Sequence, residues 1–141
     1  MTEKRLKLKA RDAEDIQVIS AVLQDSIAPV CDMIYRPEEK NFIMVVHRLR
    51  REGDAAQGLE RICCAVNIKG VESAQMQNID LHQQERMLDL LAALPEGQSL
   101  QFVFAGGPKI KLQLSDWAMI VEDFGESWPA SCNPCHEAES A

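Results

Sequence analysis

Leu100-Gln101-Phe102-Val103-Phe104-Ala105-Gly106-Gly107-Pro108-Lys109-Ile110-Lys111-Leu112-Gln113-Leu114 decides the fold. Leu100, Phe102 and Phe104 alternate with Gln101 and Val103, and Ile110, Leu112 and Leu114 alternate with Lys111 and Gln113. A period of two sets one face of a strand against a core and turns the other outward. Gly106-Gly107-Pro108 between the two runs makes the tight turn of an antiparallel hairpin, since glycine accepts the positive φ that such turns demand. The turn has no Lys-Ser/Thr sequel and no helix directly behind it, so it is not a phosphate-binding loop.

Downstream, Ser115 is a good N-cap and Asp116 suits a first helical turn. Trp117, Ile120, Val121 and Phe124 then form one apolar stripe at helical spacing, and Gly125 fits the left-handed residue that ends a helix. These signals predict a closing helix. Upstream, Ile62, Cys64, Val66 and Ile68 alternate as a strand, with Gly70 marking a bulge before Val71. Met33 to Tyr35 and Phe42 to Leu49 read as a hairpin around Arg36–Asn41, and apolar residues on both faces of the second arm place it inside the sheet. Leu6, Leu8 and Ala10 form another short strand. Asp12 caps a helix with Ile16, Ile19, Val22, Leu23 and Ile27 along one side, which Pro29 terminates. Arg51 to Glu60 reads as the most mobile loop. Leu81 to Leu94 stays open between a helix capped by Asp80 and a short buried strand from Leu88 to Leu94.

The expected fold is therefore α+β: a strongly curled antiparallel sheet of six or seven strands, a helix in the N-terminal half and a C-terminal helix. This order of elements is compatible with a pleckstrin-homology-like barrel, a likeness that carries no functional weight. Residues 1–128 are expected to form one α+β domain and residues 129–141 an irregular C-terminal tail.

With 141 residues the chain suits one domain that buries roughly two-thirds of its unfolded surface and needs no disulfide or metal for stability. A net charge of -7 argues against nucleic acid and anionic membranes as partners, since both select basic surfaces. No signal peptide is read, nor any run of about 18 apolar residues, so a soluble cytoplasmic protein with reduced thiols is expected. The charge is uneven. Arg48, Arg50 and Arg51 make a basic knot, whereas Glu122, Asp123, Glu126, Glu137 and Glu139 gather acids near the end.

Cys132-Asn133-Pro134-Cys135-His136 has the spacing that attaches c-type haem. The absence of a leader, and a polar tail without an apolar haem pocket, argue against haem. Cys-x-x-Cys supplies two zinc ligands where a structural site needs four, and His136 directly follows Cys135. The preferred reading is an exposed tail with incidental thiols, so no cofactor is expected. Cys64 shares a strand face with Val66 and Ile68 and reads as a small core residue, and Cys63 points the other way. Cys31 is read as structural, His47 as a packed imidazole and His82 as a surface residue. No nucleophile, base and orienting group assemble, which disfavours an enzyme.

The sequence supports a non-catalytic binding or interaction domain, with an unknown protein or small anionic ligand as partner. Its candidate contact surface is Arg48, Arg50 and Arg51, joined by Lys109 and Lys111. Arg48 and Arg50 lie two apart and are expected to share the outward strand face while Leu49 points into the core, and an acidic group between them would relieve their repulsion while accepting bidentate hydrogen bonds. Neutralisation by the chain's own acids, such as Glu52 or Glu60, is the competing reading. The alternative function is metal binding through Cys132, Cys135 and His136.

Ile19-Ser20-Ala21-Val22-Leu23-Gln24-Asp25-Ser26, Asp32-Met33-Ile34-Tyr35 and His47-Arg48-Leu49-Arg50-Arg51-Glu52 together resemble an uncharacterised family of small alphaproteobacterial proteins, catalogued only as a domain of unknown function. The resemblance continues through Arg61 to Val71, Leu90 to Leu94, Phe104-Ala105-Gly106-Gly107, Ile110-Lys111-Leu112, Asp123-Phe124-Gly125 and Trp128. It covers most of the chain in order. The family's tail is similar to Trp128 with Pro134-Cys135-His136, which accounts for half of the haem-like string, whereas Cys132 and Cys135 are particular to this chain. Arg51 stands where the family carries an aromatic residue. The resemblance implies the fold class and a cytoplasmic home, and it transfers no catalytic residue.

Overall fold

The computed structural model describes residues 5–50 and 59–130. The elements run β1 (Lys7–Ala10), α1 (Ala13–Leu23), β2 (Ile27–Pro29), β3 (Met33–Arg36), β4 (Asn41–Arg50), β5 (Glu60–Gln77), β6 (Met87–Glu96), β7 (Ser99–Phe104) and β8 (Lys109–Pro129). All strand pairings are antiparallel. Following the pairings from β8 through β5, β4, β2, β6 and β7 returns to β8, so six strands close a ring. β1 adds to β8 and β3 adds to β4 outside that circuit. Closure removes the exposed edges that an open sheet leaves.

The helix at the start forms as its sequence predicts. The Asp12 side chain accepts the Asp15 amide at 2.9 Å, Glu14 and Asp15 occupy the first turn, and Ile16, Ile19 and Leu23 are buried. It packs mainly on β6, where Ser20 Oγ accepts the Ala93 amide at 2.9 Å. Ile27 is not part of it: Asp25 takes a left-handed φ of 69°, and the chain re-enters as β2. The open stretch before Leu94 resolves as strand, with β6 covering Leu88 to Leu94.

The closing helix is not there. Residues from Ser115 to Phe124 continue β8, so α1 is the one α-helix among the described residues and the sheet has eight strands rather than six or seven. The barrel likeness built on a C-terminal helix loses that element. The physical reason lies in pairing. Residues 118–124 pair with β5 on one side and residues 119–122 with β1 on the other, and this ladder pairing overrides weak helix signals. Ser115 and Asp116 instead belong to a corner, where Asp116 adopts φ 53°. Gly125, at φ 74°, sits in an irregular stretch where the chain from Phe124 to Trp128 opposes only Cys63 to Arg61.

β5 and β8 bend together at this corner. Gly70 has φ 86°, and a Cβ there would lie 2.6 Å from the Ser115 carbonyl oxygen and 2.8 Å from Trp117 Cα, so only glycine fits. The Gly70 and Val71 amides both donate to the Lys40 carbonyl at 2.9 Å. The bulge read at Gly70 thus turns the sheet. Within the ring, Phe42, Met44, Val46, Val66, Ile68, Leu90, Leu100, Phe102, Ile110, Leu112, Met119 and Val121 make one core, with the Phe42 and Phe102 rings stacked at 6.5 Å.

The longest α-helix has 11 residues, and among the described residues no helix is long and apolar enough to cross a membrane. β8 passes the boundary expected at residue 128 and ends at Pro129. The tail from 131 onward, and the loop expected over 51–60 as far as residue 58, lie outside the described residues.

Candidate functional site

Three arrangements stand out. The first is a buried ionic cluster. Phe42, Met44 and Val46 turn inward along β4, and the period of two carries Arg48 and Arg50 to the same inner face. This corrects the expectation that Leu49 points into the core while the arginines face out. Apolar residues on both faces of β4 concealed which parity points inward. Arg48 is 1% exposed, and its Nε and Nη2 donate to the two carboxylate oxygens of Asp123 at 3.0 and 2.7 Å. Asp123 Oδ2 also accepts the Leu6 amide at 2.9 Å, and the Asp123 amide donates to the Leu6 carbonyl at 2.9 Å. One carboxylate therefore joins the N-terminal segment, β4 and β8.

Burial alone would push the Asp123 carboxyl up. The Arg48 hydrogen bonds, the Leu6 amide and the guanidinium charge outweigh it and hold the group below the usual carboxylate range. Cys64 lies opposite Asp123 in the β5–β8 register. Its thiol is pushed far up, first by burial and then by the neighbouring carboxylate, to which its S–H donates. A thiol held protonated in this way is a core residue and a poor nucleophile. Arg50 Nη1 donates to Glu60 Oε1 at 2.9 Å, and Ser127 Oγ donates to the same oxygen at 3.3 Å. Glu60 thus takes the role given to the chain's own acids in the competing reading. Arg51 lies outside the described residues, as do Cys132, Cys135 and His136. Among the described residues no group of three His, Cys, Asp or Glu could hold a metal ion.

The second arrangement is a cleft of about 530 Å³ lined by Gln75, Met76, Gln77, Gln101, Lys109 and Lys111. Lys109 and Lys111 alternate with the buried Ile110 and Leu112, so they project from the outer face of β8. In register, Lys111 lies between Gln75 of β5 and Gln101 of β7, and Lys109 lies between Gln77 and Val103. Neither lysine makes an ion pair with an acid among the described residues. Sequence reasoning reached the two lysines through their alternation. It missed the glutamines, because only strand register brings them alongside.

The third is an apolar cleft of about 690 Å³ lined by Met33, Tyr35, Pro37, Ala74, Met76, Ile79 and Leu81, with Asp80 and His82 also in the lining. Tyr35, Ala74, Met76 and Ile79 pack against the core from here, and Tyr35 Oη donates to the Val71 carbonyl at 3.0 Å. His82 Nδ1 lies 3.1 Å from Asp80 Oδ1, and the His82 amide donates to the same oxygen at 2.9 Å. The His82 amide and ring together keep the Asp80 carboxyl below its ordinary range. The imidazole is 98% exposed, in keeping with the surface role read for it. His47 is packed, 4% exposed and edge-on to Trp128 with centroids 5.4 Å apart.

These arrangements can bind and they can brace. No curated protein and no solved structure matches the chain. A family model described as a protein of unknown function (DUF2948) matches residues 6–136. Spanning nearly all of the sequence, that match settles the family: the chain belongs to DUF2948, a family of proteins of unknown function.

Proposed function

We propose that the chain is a non-catalytic binding domain that recognises an acidic group, and that Lys109 and Lys111 receive it. The recognition expected of Arg48 and Arg50 moves to the lysines because Asp123 and Glu60 already take hydrogen bonds from both guanidiniums. The observation that carries the reading is the pair of ammonium groups on one face of β8, flanked by amides and facing no acid of their own chain among the described residues. In a chain of net charge -7, such a patch attracts anions locally while the remaining surface repels them.

A thermal-shift series with phosphate, citrate and dicarboxylates at low salt tests it. At about a hundred times Kd, binding adds about 2.7 kcal/mol and raises the melting midpoint by several degrees. The rise is expected to vanish in Lys109→Ala, Lys111→Ala protein, whose outward side chains leave the core intact. No rise with any anion, or a rise that survives the double substitution, overturns the reading.

A further inference from the structure

Resting on that reading, the geometry points to a particular occupant for the lysine cleft: an extended acidic peptide segment with carboxylates at alternate residues. Lys109 and Lys111 are two residues apart on β8, which places their Cα atoms about 6.8 Å apart along the strand. Side chains at alternate positions of any extended peptide repeat at the same spacing. A segment laid along β8 therefore sets one carboxylate on each ammonium without forcing the two lysines together.

The neighbours sort the ligand further. Gln75 and Gln101 stand directly across from Lys111, one on each adjoining strand, and Gln77 stands beside Lys109. Adjacent strands lie about 4.8 Å apart, so each amide reaches a group seated on the central strand. A glutamine amide donates and accepts, and so can serve both the carboxylates and the peptide groups of an extended segment. Val103, across from Lys109 on β7, adds apolar surface beside this polar row.

Features that favour a compact phosphate are missing here. β8 is paired with β5 on one edge and β7 on the other over residues 109–113, so its backbone amides are committed to the sheet. The cleft lining contains no guanidinium for bidentate capture. Paired edges also exclude strand addition, which leaves docking on the face.

The test uses two capped peptides of identical composition, one alternating Glu and Thr and one, the block peptide, in which Glu pairs alternate with Thr pairs so that no two Glu lie two residues apart. Tripolyphosphate is the third probe. Binding to the full chain is measured by calorimetry at about 20 mM salt, where surface charges are little screened. The alternating peptide is expected to bind at least about tenfold more tightly than the block peptide. That affinity is expected to be lost in Lys109→Ala, Lys111→Ala protein and lowered about threefold in Gln75→Ala, Gln101→Ala protein. A Lys40→Ala control, whose lysine pairs with Glu72 elsewhere, should leave it unchanged. Equal binding of the two peptides, or tripolyphosphate binding through the lysines with no peptide binding, overturns the peptide proposal while leaving acidic-group recognition intact. Failure of all three probes overturns both.

Discussion

Arg48 and Asp123, 75 residues apart in the chain, meet through two hydrogen bonds of 3.0 and 2.7 Å with side chains 2% and 0% exposed. Such a pair stabilises less than its Coulomb attraction suggests, because both charges leave water, yet breaking it strands the survivor. Asp123→Ala is expected to cost about 3–5 kcal/mol, since it removes both carboxylate acceptors from Arg48 and the acceptor of the Leu6 amide together. Arg48→Met with Asp123→Leu is expected to recover most of that loss. Urea unfolding of the three proteins checks both statements.

The same carboxyl gives a pH dependence of known sign. Its folded pKa lies below the unfolded value of about 3.9, so the unfolded state binds the extra proton at low pH. The stabilisation is complete above about pH 5 and is lost as pH falls through the folded pKa. Urea midpoints measured across the acid range should fall less steeply in Asp123→Asn protein than in the parent.

Cys64 and Cys31 should separate cleanly in reactivity. Burial and the Asp123 carboxylate keep the Cys64 thiol protonated, whereas Cys31 is exposed. Iodoacetamide at about pH 8 is expected to alkylate Cys31 within minutes and to leave Cys64 unmodified until the protein unfolds. Peptide mass mapping reads the difference, and early labelling of Cys64 would contradict the buried cluster. The raised Cys64 pKa also stabilises the fold below the unfolded thiol value of about 8.5, and this contribution declines as pH rises above it.

Gly70→Ala is expected to destabilise the protein by about 3 kcal/mol, because the added Cβ meets backbone at 2.6 and 2.8 Å and the residue must hold φ 86°. Gly97→Ala, with no atom within 4 Å of the new Cβ and φ 59°, carries only the conformational cost and should lose less. Thermal denaturation of the two variants gives the comparison.

Strand and helix readings of residues 115–124 make opposite demands on Met119 and Phe124. Met119 is fully buried in β8 and Phe124 is 44% exposed. Met119→Ala should therefore cost about 2–5 kcal/mol and Phe124→Ala under about 1 kcal/mol. Under the helical stripe Phe124 would be the costly position.

Local chemistry in the sequence determined much of this protein. Alternation defined the Leu100–Leu114 hairpin, the strand from Ile62 and the outward set of Lys109 and Lys111, because a period of two is a property of neighbouring residues. Asp12 and the Ile16–Leu23 stripe were enough for α1, and Gly70 announced the bend. Tertiary structure decided the rest. Which parity of β4 faces inward depends on the strands that cover it, and both faces were apolar. Residues 118–124 became strand because β5 supplies ladder partners along one edge and β1 supplies them along the other over residues 119–122. There the inward alternation of Met119, Val121 and Asp123 was hidden by a carboxylate in a core position. Only the fold can make that charge an inner residue, because its counter-ion, Arg48, lies on a strand far away in sequence, and a buried carboxylate survives only where such a partner meets it.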